Sequence, residues 1–364
     1  MNKRVAWLDT LRGGAVVAVI AYHLVQSSAL NGSWLSRVTY YGQYGVDLFF
    51  VLSGWLVGTL FWRELWSTGD VALGRFWLRR ALRTIPPYFG ILAVSWAAVA
   101  VARHEPFDFS YLVFLQNYQD RIPFFLVSWS LCIEEHFYLV IPILAAAIAR
   151  YGTRWLLPLA LIGLALLSPV ARALEFDSVP RNEFGYAVTA THLHLDGIAF
   201  GFAASFASFR WPSIFAKAIG SKGLWIAVLA AVAAAVTVEA IAGERVHYVL
   251  FPTVLATVFC LLAVMRPRSV ESAWPDRQRL RALVRAVAIS SYSAYLVHPL
   301  AIHLTKTIVG QLGGADLLYW VLGLALIVGA TYGYYSLAES TAIRLRDVLV
   351  PYRPDRGQGR LRTS

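Results

Sequence analysis

The sequence predicts an all-α, polytopic integral membrane protein with about ten transmembrane helices and both termini in the cytoplasm. Apolar runs of bilayer length recur along the whole chain, and loops rich in Lys and Arg alternate with poor ones. Of the 364 residues, 58% are hydrophobic and only 15% are charged, and the mean hydropathy is +0.57. This composition is far more apolar than that of an average soluble domain.

Ten runs of about 17 to 25 mostly apolar residues are long enough to cross a hydrocarbon core about 30 Å thick. They cover residues 6–30, 44–62, 84–102, 128–149, 154–171, 189–209, 223–241, 247–265, 286–306 and 317–337. We therefore expect a single transmembrane domain over residues 1–340. Residues 341–364 are basic and end in PDRGQGRLRTS, which predicts a disordered cytoplasmic tail.

The basic residues orient these segments in the membrane. With a cytoplasmic N-terminus, 24 of the 32 Lys and Arg residues fall inside, seven fall outside or at outer span ends, and Arg12 lies within the first span. An excess of Lys and Arg in cytoplasmic loops is the expected bias for membrane proteins. The net charge of +11 thus follows from topology, and no nucleic-acid partner is predicted.

The first apolar run, AWLDTLRGGAVVAVIAYHLVQSSAL, contains Asp9, Arg12 and His23, which are costly in hydrocarbon. Arg12 and His23 are eleven residues apart, so on a helix they point within about 20° of each other and lie about 16 Å apart along the axis. Asp9, one turn before Arg12, joins the same face. This stripe fits a polar path into the protein, or else an interfacial Asp–Arg pair with a separate buried histidine.

Two further segments suggest a binding surface for an anionic or thin ligand. In the second span, Ser53 and Gly54 would let a helix or a ligand approach the backbone closely. In the following inner loop, RFWLRRALRTIPPYF places Arg79, Arg80 and Arg83 within two turns, and its two prolines are expected to end the helix there. The arginines could reflect topology alone, bind lipid phosphates, or hold the phosphates of a cytosolic donor.

Ionisable residues also occur in three later spans. The fourth span begins with SWSLCIEEHFYLVIP, where Glu134 could shuttle a proton or orient an imidazole, or merely cap the span at the outer interface. In the sixth span His192 and Asp196 are spaced to share a helical face, which predicts an outer-facing polar pocket. With no third ligand at a suitable spacing, no metal site is predicted. His298 lies mid-span in ISSYSAYLVHPLAIH, either in a functional site or as a satisfied core histidine.

Together these motifs resemble the membrane acyltransferase-3 family of acyl-CoA-dependent O-acyltransferases. The motifs are LDTLRGGAVVAVIAYH with Arg12 and His23, FFVLSGWL, RFWLRRALRTIPPYF, FLQN, WSLCIEEHFYLVIP and SYSAYLVHP, in that order. The resemblance covers about residues 5–145 strongly and 285–340 more weakly.

The resemblance implies an enzyme of the bacterial inner membrane that transfers an acyl group, acetyl by default, from cytosolic acyl-CoA to a hydroxyl of a carbohydrate or glycosylated acceptor. It implies His23 as general base, or as the site of a covalent acyl intermediate. Glu134 would orient His23 or relay its proton, and Asp9 would help to organise the cytoplasmic path.

The resemblance also assigns binding residues and partners. The donor site would be formed by Arg12, Arg79, Arg80, Arg83 and Ser53, and the acceptor pocket by Trp129, Asn117, His298, Tyr292 and Asp196. No permanently bound cofactor is expected, and the partners would be acyl-CoA, the acceptor and membrane lipids. An alternative from another class is a transporter or flippase for a lipid-linked sugar, although no internal repeat is visible.

Overall fold

A computed structural model describes residues 3–104, 106–153, 155–178, 185–219, 221–265, 278–312 and 316–351. These residues are helical or form turns, and none of them lies in a β-strand. The helices are α1 (Lys3–Gln26), α2 (Trp34–Tyr40), α3 (Gly45–Thr68), α4 (Leu73–Arg103), α5 (Trp129–Tyr151), α6 (Leu156–Glu175), α7 (Tyr186–Thr189), α8 (Leu195–Arg210), α9 (Pro212–Ile219), α10 (Lys222–Ile241), α11 (Glu244–Val264), α12 (Gln278–Ile289), α13 (Ser291–Gln311), α14 (Asp316–Tyr334) and α15 (Ser340–Leu349).

The architecture confirms the prediction of an all-α, polytopic membrane protein. Among the described residues, eight helices are long and apolar enough to cross a membrane, and α12 with α13 form a ninth candidate that is bent by 70°. The sixth predicted span, 189–209, becomes the 16-residue helix α8 preceded by short turns. At 1.5 Å per residue α8 is about 24 Å long, which is shorter than the hydrocarbon core.

Small residues allow α3 and α8 to pack backbone against backbone. A Cβ atom on Gly54 would lie 1.9 Å from the carbonyl oxygen of Ile198, and one on Gly201 would lie 2.0 Å from that of Val51. Only glycine fits at either position, because real Cβ contacts are never so short. Gly54 therefore serves helix packing, the first of the two uses that its position allowed.

Helix α4 departs from the sequence-based expectation. It continues through Pro86 and Pro87, which were expected to end it. Proline is tolerated inside membrane helices because neighbouring side chains can satisfy the backbone groups that it frees. The two prolines leave the carbonyls of Leu82 and Arg83 without helical donors. Other helices hold the adjoining turn, since the Tyr334 hydroxyl donates to the carbonyl of Pro87 and the Tyr292 hydroxyl donates to that of Thr84, at 2.8 Å.

The C-terminal region also differs from the predicted disordered tail. After α14, residues Tyr335–Glu339 form a π-helical segment, and α15 continues the helix to Leu349. Arg79 of α4 holds this extension by donating to the carboxylate of Asp347, at 3.1 Å, and to the carbonyl of Val350. The remainder of the predicted tail, 352–364, lies outside the described residues.

Candidate active site

His23 lies on an unbroken helix with Arg12, as the spacing of eleven residues predicts. The imidazole of His23 meets that of His298 from α13, with 3.3 Å between His23 Nδ1 and His298 Nε2 and 5.0 Å between the ring centroids. His23 Nδ1 is also 3.0 Å from the carbonyl oxygen of Val19, one turn earlier. Two helices from opposite ends of the chain thus form an imidazole pair.

His298 is fully buried and rigidly held. Its Nδ1 lies 2.8 Å from the carbonyl oxygen of Tyr295 and 3.2 Å from that of Ala294. The Tyr295 hydroxyl in turn bonds to Ser130 Oγ at 2.8 Å and donates to the carbonyl of Val127 at 3.1 Å. These contacts fix the turn of α13 that bears His298 against the start of α5.

Glu134 lies in a separate polar cluster and makes no hydrogen bond to His23. Its carboxylate accepts from Ser53 Oγ at 2.9 Å, from Arg80 Nη2 at 2.9 Å and from the Tyr138 hydroxyl at 2.8 Å. The Arg80 guanidinium also lies over the Tyr138 ring, 3.8 Å from its centroid. The direct partner of the His23 ring is His298 and not Glu134, and the expected proton relay through Glu134 stays a prediction.

Arg12 extends this cluster toward the end predicted to be cytoplasmic. Its guanidinium interacts electrostatically with Asp9, Arg80 and Glu134, and Asp9 also interacts with Arg285. Arg83 lies near Arg80 and Arg12. Within the described part of the chain, neither Arg12 nor Arg83 has a hydrogen-bond partner.

Only two of the three predicted loop arginines face this cluster. Arg80 and Arg83 do, whereas Arg79 pairs with Asp347 of α15. Successive helix residues point about 100° apart, so adjacent arginines cannot both face inward. Arg79 contacts the C-terminal helix instead, and its place in the donor site stays a prediction.

Glu339 is a buried carboxylate beside this cluster that was not singled out from the sequence. It is fully buried in the π-helical segment, where Oε2 accepts from Ser293 Oγ at 2.6 Å and from the Ser293 backbone N–H at 3.2 Å. Its charge interacts with Arg83 and Arg12. An ionisable residue so close to an apolar run was the available signal.

Tyr292 lies beside the polar cluster of Glu134 and Arg80, and its place in an acceptor pocket stays a prediction. Its hydroxyl donates to the carbonyl of Thr84, whose own Oγ1 donates to Glu135 Oε1 at 2.9 Å. The neighbouring ionisable groups of Tyr292 are Glu134, Glu135 and Glu339.

Asn117 and Asp196 have structural partners. Buried Asn117 donates to the carbonyl of Thr189 at 3.0 Å and to Thr191 Oγ1 at 2.8 Å, which ties the loop before α5 to the turns before α8.

Asp196 forms a buried ion pair with Arg172 at 2.8 Å. His192 lies in a 3-10 turn and not on the helix of Asp196, so the predicted shared face is wrong. Trp129 packs edge-on against His194 and Phe50, with centroids 5.5 and 5.9 Å away.

A second polar cluster lies at the end of the molecule predicted to face outward. His192 Nε2 donates to Glu175 Oε1 at 2.8 Å, and the Tyr186 hydroxyl donates to Glu175 Oε2 at 3.1 Å. The exposed Tyr118 ring stacks on His192 with an interplanar angle of 9°. Burial and then the Glu175 carboxylate raise the pKa of Tyr186 to about 12, so this hydroxyl stays protonated at neutral pH. Only His192 of this cluster was singled out from the sequence.

Comparisons with known proteins identify the family. The sequence profile described as an acyltransferase domain matches residues 5–338. O-acetyltransferase OatA of Staphylococcus aureus strain NCTC 8325 is 27% identical over 321 residues, which are 80% of this chain and 49% of that protein. A protein of Staphylococcus aureus strain COL, provisionally named an O-acetyltransferase, is 32% identical over 154 residues, 38% of this chain and 24% of its own length.

The chain thus spans about half or less of the length of these curated relatives. No solved structure is significantly similar to it. The profile match covers nearly all of the helical domain, including both α1 and α13. The chain is therefore a multi-pass membrane protein that belongs to the acyltransferase-3 family.

Proposed function

We propose that this protein transfers an acyl group, acetyl in the first instance, from cytosolic acyl-CoA to a hydroxyl of a carbohydrate or glycosylated acceptor, in the inner membrane of a bacterium. One observation carries the proposal: a single helix bears Arg12 in a cationic cluster and, eleven residues on, His23 in an imidazole pair. Arg12 and His23 are thereby about 16 Å apart along the helix axis.

The cationic cluster, formed by Arg12, Arg80 and Arg83, suits the phosphates of the donor. Among the described residues Arg12 and Arg83 lack hydrogen-bond partners, while Arg80 is already paired with Glu134. Guanidinium groups bind phosphate oxygens in a bidentate manner, so the two unpaired arginines are the better candidates. Glu134 and Ser53 would then keep Arg80 in place beside the bound CoA.

His23 suits the chemical step. The acceptor oxygen attacks the thioester carbonyl carbon while its proton moves to a ring nitrogen of His23. The new C–O bond forms, the C–S bond breaks, and the imidazolium returns the proton to the departing CoA thiolate. A neutral imidazole can take a proton through its unprotonated ring nitrogen, and the imidazolium can return it.

The outer polar cluster supports a carbohydrate acceptor. Tyr118, Tyr186 and His192 offer aromatic faces, and Glu175 offers a carboxylate. A sugar ring presents apolar C–H faces flanked by hydroxyls, so it needs both kinds of contact at once.

The test is acyl transfer by the purified full chain in lipid nanodiscs, with radiolabelled acetyl-CoA and an oligosaccharide acceptor. His23→Ala should reduce ester formation about 10²- to 10⁴-fold, with an unchanged elution profile on size exclusion. The control is His303→Ala, which changes an exposed histidine on the same helix as His298. Undiminished transfer by His23→Ala would refute the assignment, and sugar movement across vesicles without acyl-CoA would favour the flippase alternative.

A further inference from the structure

The hydrogen bonds around His298 determine which of its nitrogens carries the proton. Its Nδ1 lies within hydrogen-bond distance of two carbonyl oxygens, those of Tyr295 and Ala294. A carbonyl oxygen can only accept, so Nδ1 must be the protonated nitrogen. In neutral His298, Nε2 is therefore unprotonated, and its lone pair can accept a hydrogen bond from His23.

Pro299 explains why the Tyr295 carbonyl is available for this role. In a regular α-helix the carbonyl of residue 295 accepts from the backbone N–H of residue 299. Proline has no N–H, and Pro299 lies inside α13, so the Tyr295 carbonyl loses its helical partner. The shorter of the two bonds to His298 Nδ1, 2.8 Å, goes to this freed oxygen.

The same reasoning fixes the tautomer of His23. Its Nδ1 faces the carbonyl oxygen of Val19 at 3.0 Å and the bare Nε2 of His298 at 3.3 Å, and both are acceptors. His23 Nδ1 must therefore hold the proton, which leaves Nε2 as the basic nitrogen. Within the described residues these are the hydrogen-bond partners of the His23 ring.

We propose that His298, whose Nδ1–H is bound by the carbonyl that Pro299 frees, is a positioning residue that holds His23 in the Nδ1-protonated tautomer. His23 Nε2 is then the atom that takes the acceptor proton. This inference rests on the proposed function of His23 as general base. It assigns to His298 the part that a carboxylate plays in many histidine-dependent enzymes.

A neutral partner suits this location. A buried carboxylate beside His23 would have to be desolvated in the resting enzyme, which is costly in an apolar interior. With His298 the resting pair carries no charge, and a charge arises on His23 only while it holds the acceptor proton. His23 Nδ1–H then donates to two ready acceptors, which stabilise the imidazolium without moving. His298 cannot pass a proton onward, because its Nδ1–H is already bound to backbone carbonyls.

The kinetic test compares substitutions that keep or remove the acceptor facing His23. His298→Leu removes it and should lower kcat about 10- to 100-fold, the range for losing a hydrogen bond to a charged group, with the KM for acetyl-CoA unchanged. His298→Gln can place an amide oxygen near the former Nε2 and should restore kcat to within about tenfold of the native value. The control His303→Leu, at an exposed position of α13, should behave as the native protein. Equal losses in His298→Leu and His298→Gln would overturn the proposal.

The spectroscopic test needs no turnover. The full chain is labelled with ¹⁵N-histidine, and the His23 signals are assigned by their loss in His23→Ala. The native protein should show protonated Nδ1 and bare Nε2 at His23, and His298→Leu and Pro299→Ala should both add the other tautomer. A native His23 with protonated Nε2 would overturn this inference while leaving His23-dependent transfer, and thus the proposed function, intact. Transfer that survives His23→Ala would overturn both.

Discussion

The ion pair between Asp196 and Arg172 allows a test of whether Asp196 stabilises the fold or belongs to the acceptor pocket. Their side chains are only 5% and 1% exposed, and the Asp196 carboxylate lies 2.8 Å from the guanidinium. Arg172 also donates to Thr253 Oγ1 at 2.6 Å and to the carbonyls of Leu193 and Val249. If Asp196 is replaced by Ala, the buried cation keeps only neutral hydrogen-bond acceptors, and Asp47 is the carboxylate that still interacts with it electrostatically.

The expected magnitude follows from this burial. Breaking a buried pair by removing one partner typically costs about 3–5 kcal/mol, because it leaves an uncompensated charge. That is a large part of the about 5–15 kcal/mol by which most proteins are stable. Asp196→Ala combined with Arg172→Met should recover much of the loss, since the double variant no longer buries Arg172 without its partner.

The assay is reversible chemical unfolding of the detergent-solubilised protein, arranged as a double-mutant cycle. The matched control is Asp177→Ala, because Asp177 pairs with Arg245 at 3.3 Å where the side chains are 75% and 59% exposed. Such surface pairs contribute less than about 1 kcal/mol. Native stability of Asp196→Ala together with a raised KM for the acceptor would refute the structural role and restore Asp196 to the acceptor pocket.

Two further predictions concern helix packing and the donor site. In the same unfolding assay Gly54→Ala should cost about 1–3 kcal/mol or more, because its Cβ would meet the α8 backbone, whereas Gly14→Ala, with nothing within 4 Å of the added Cβ, should cost nothing. Equal stability of the two variants would argue against the close approach of α3 to α8. Arg83→Ala should raise the KM for acyl-CoA about tenfold or more, while Arg79→Ala, which breaks a partly exposed pair, should change it less than about twofold. The opposite order in steady-state kinetics would return Arg79 to the donor site.

Much of the fold could be predicted from the sequence because the bilayer imposes one dominant rule. Apolar runs of fixed length located most of the helices, and the periodicity of α1 correctly related Arg12 to His23. The exception is α8, which begins at Leu195 and carries in its first turn the buried Asp196, paired with Arg172 24 residues earlier in the chain. A hydropathy window does not register such a pair.

The site was predicted less completely, since its contacts join distant segments. His23 and His298 were both singled out, yet no local pattern relates residues that are 275 positions apart. Glu134 was assigned to His23 from the family resemblance, as a carboxylate that could orient the imidazole or relay its proton. Only the packing of α4 against α5 reveals that Arg80 occupies it.

The separation of the two histidines along the chain also bears on biosynthesis. At about 5–20 residues per second, the ribosome needs roughly 15 to 55 s to reach α13 after α1 has emerged. Throughout that time a nascent chain contains His23 without the imidazole that orients it. Unfinished chains should therefore transfer acyl groups no faster than His298→Leu, and a protein truncated before α13 should show transferase activity at least about 10- to 100-fold below that of the full chain.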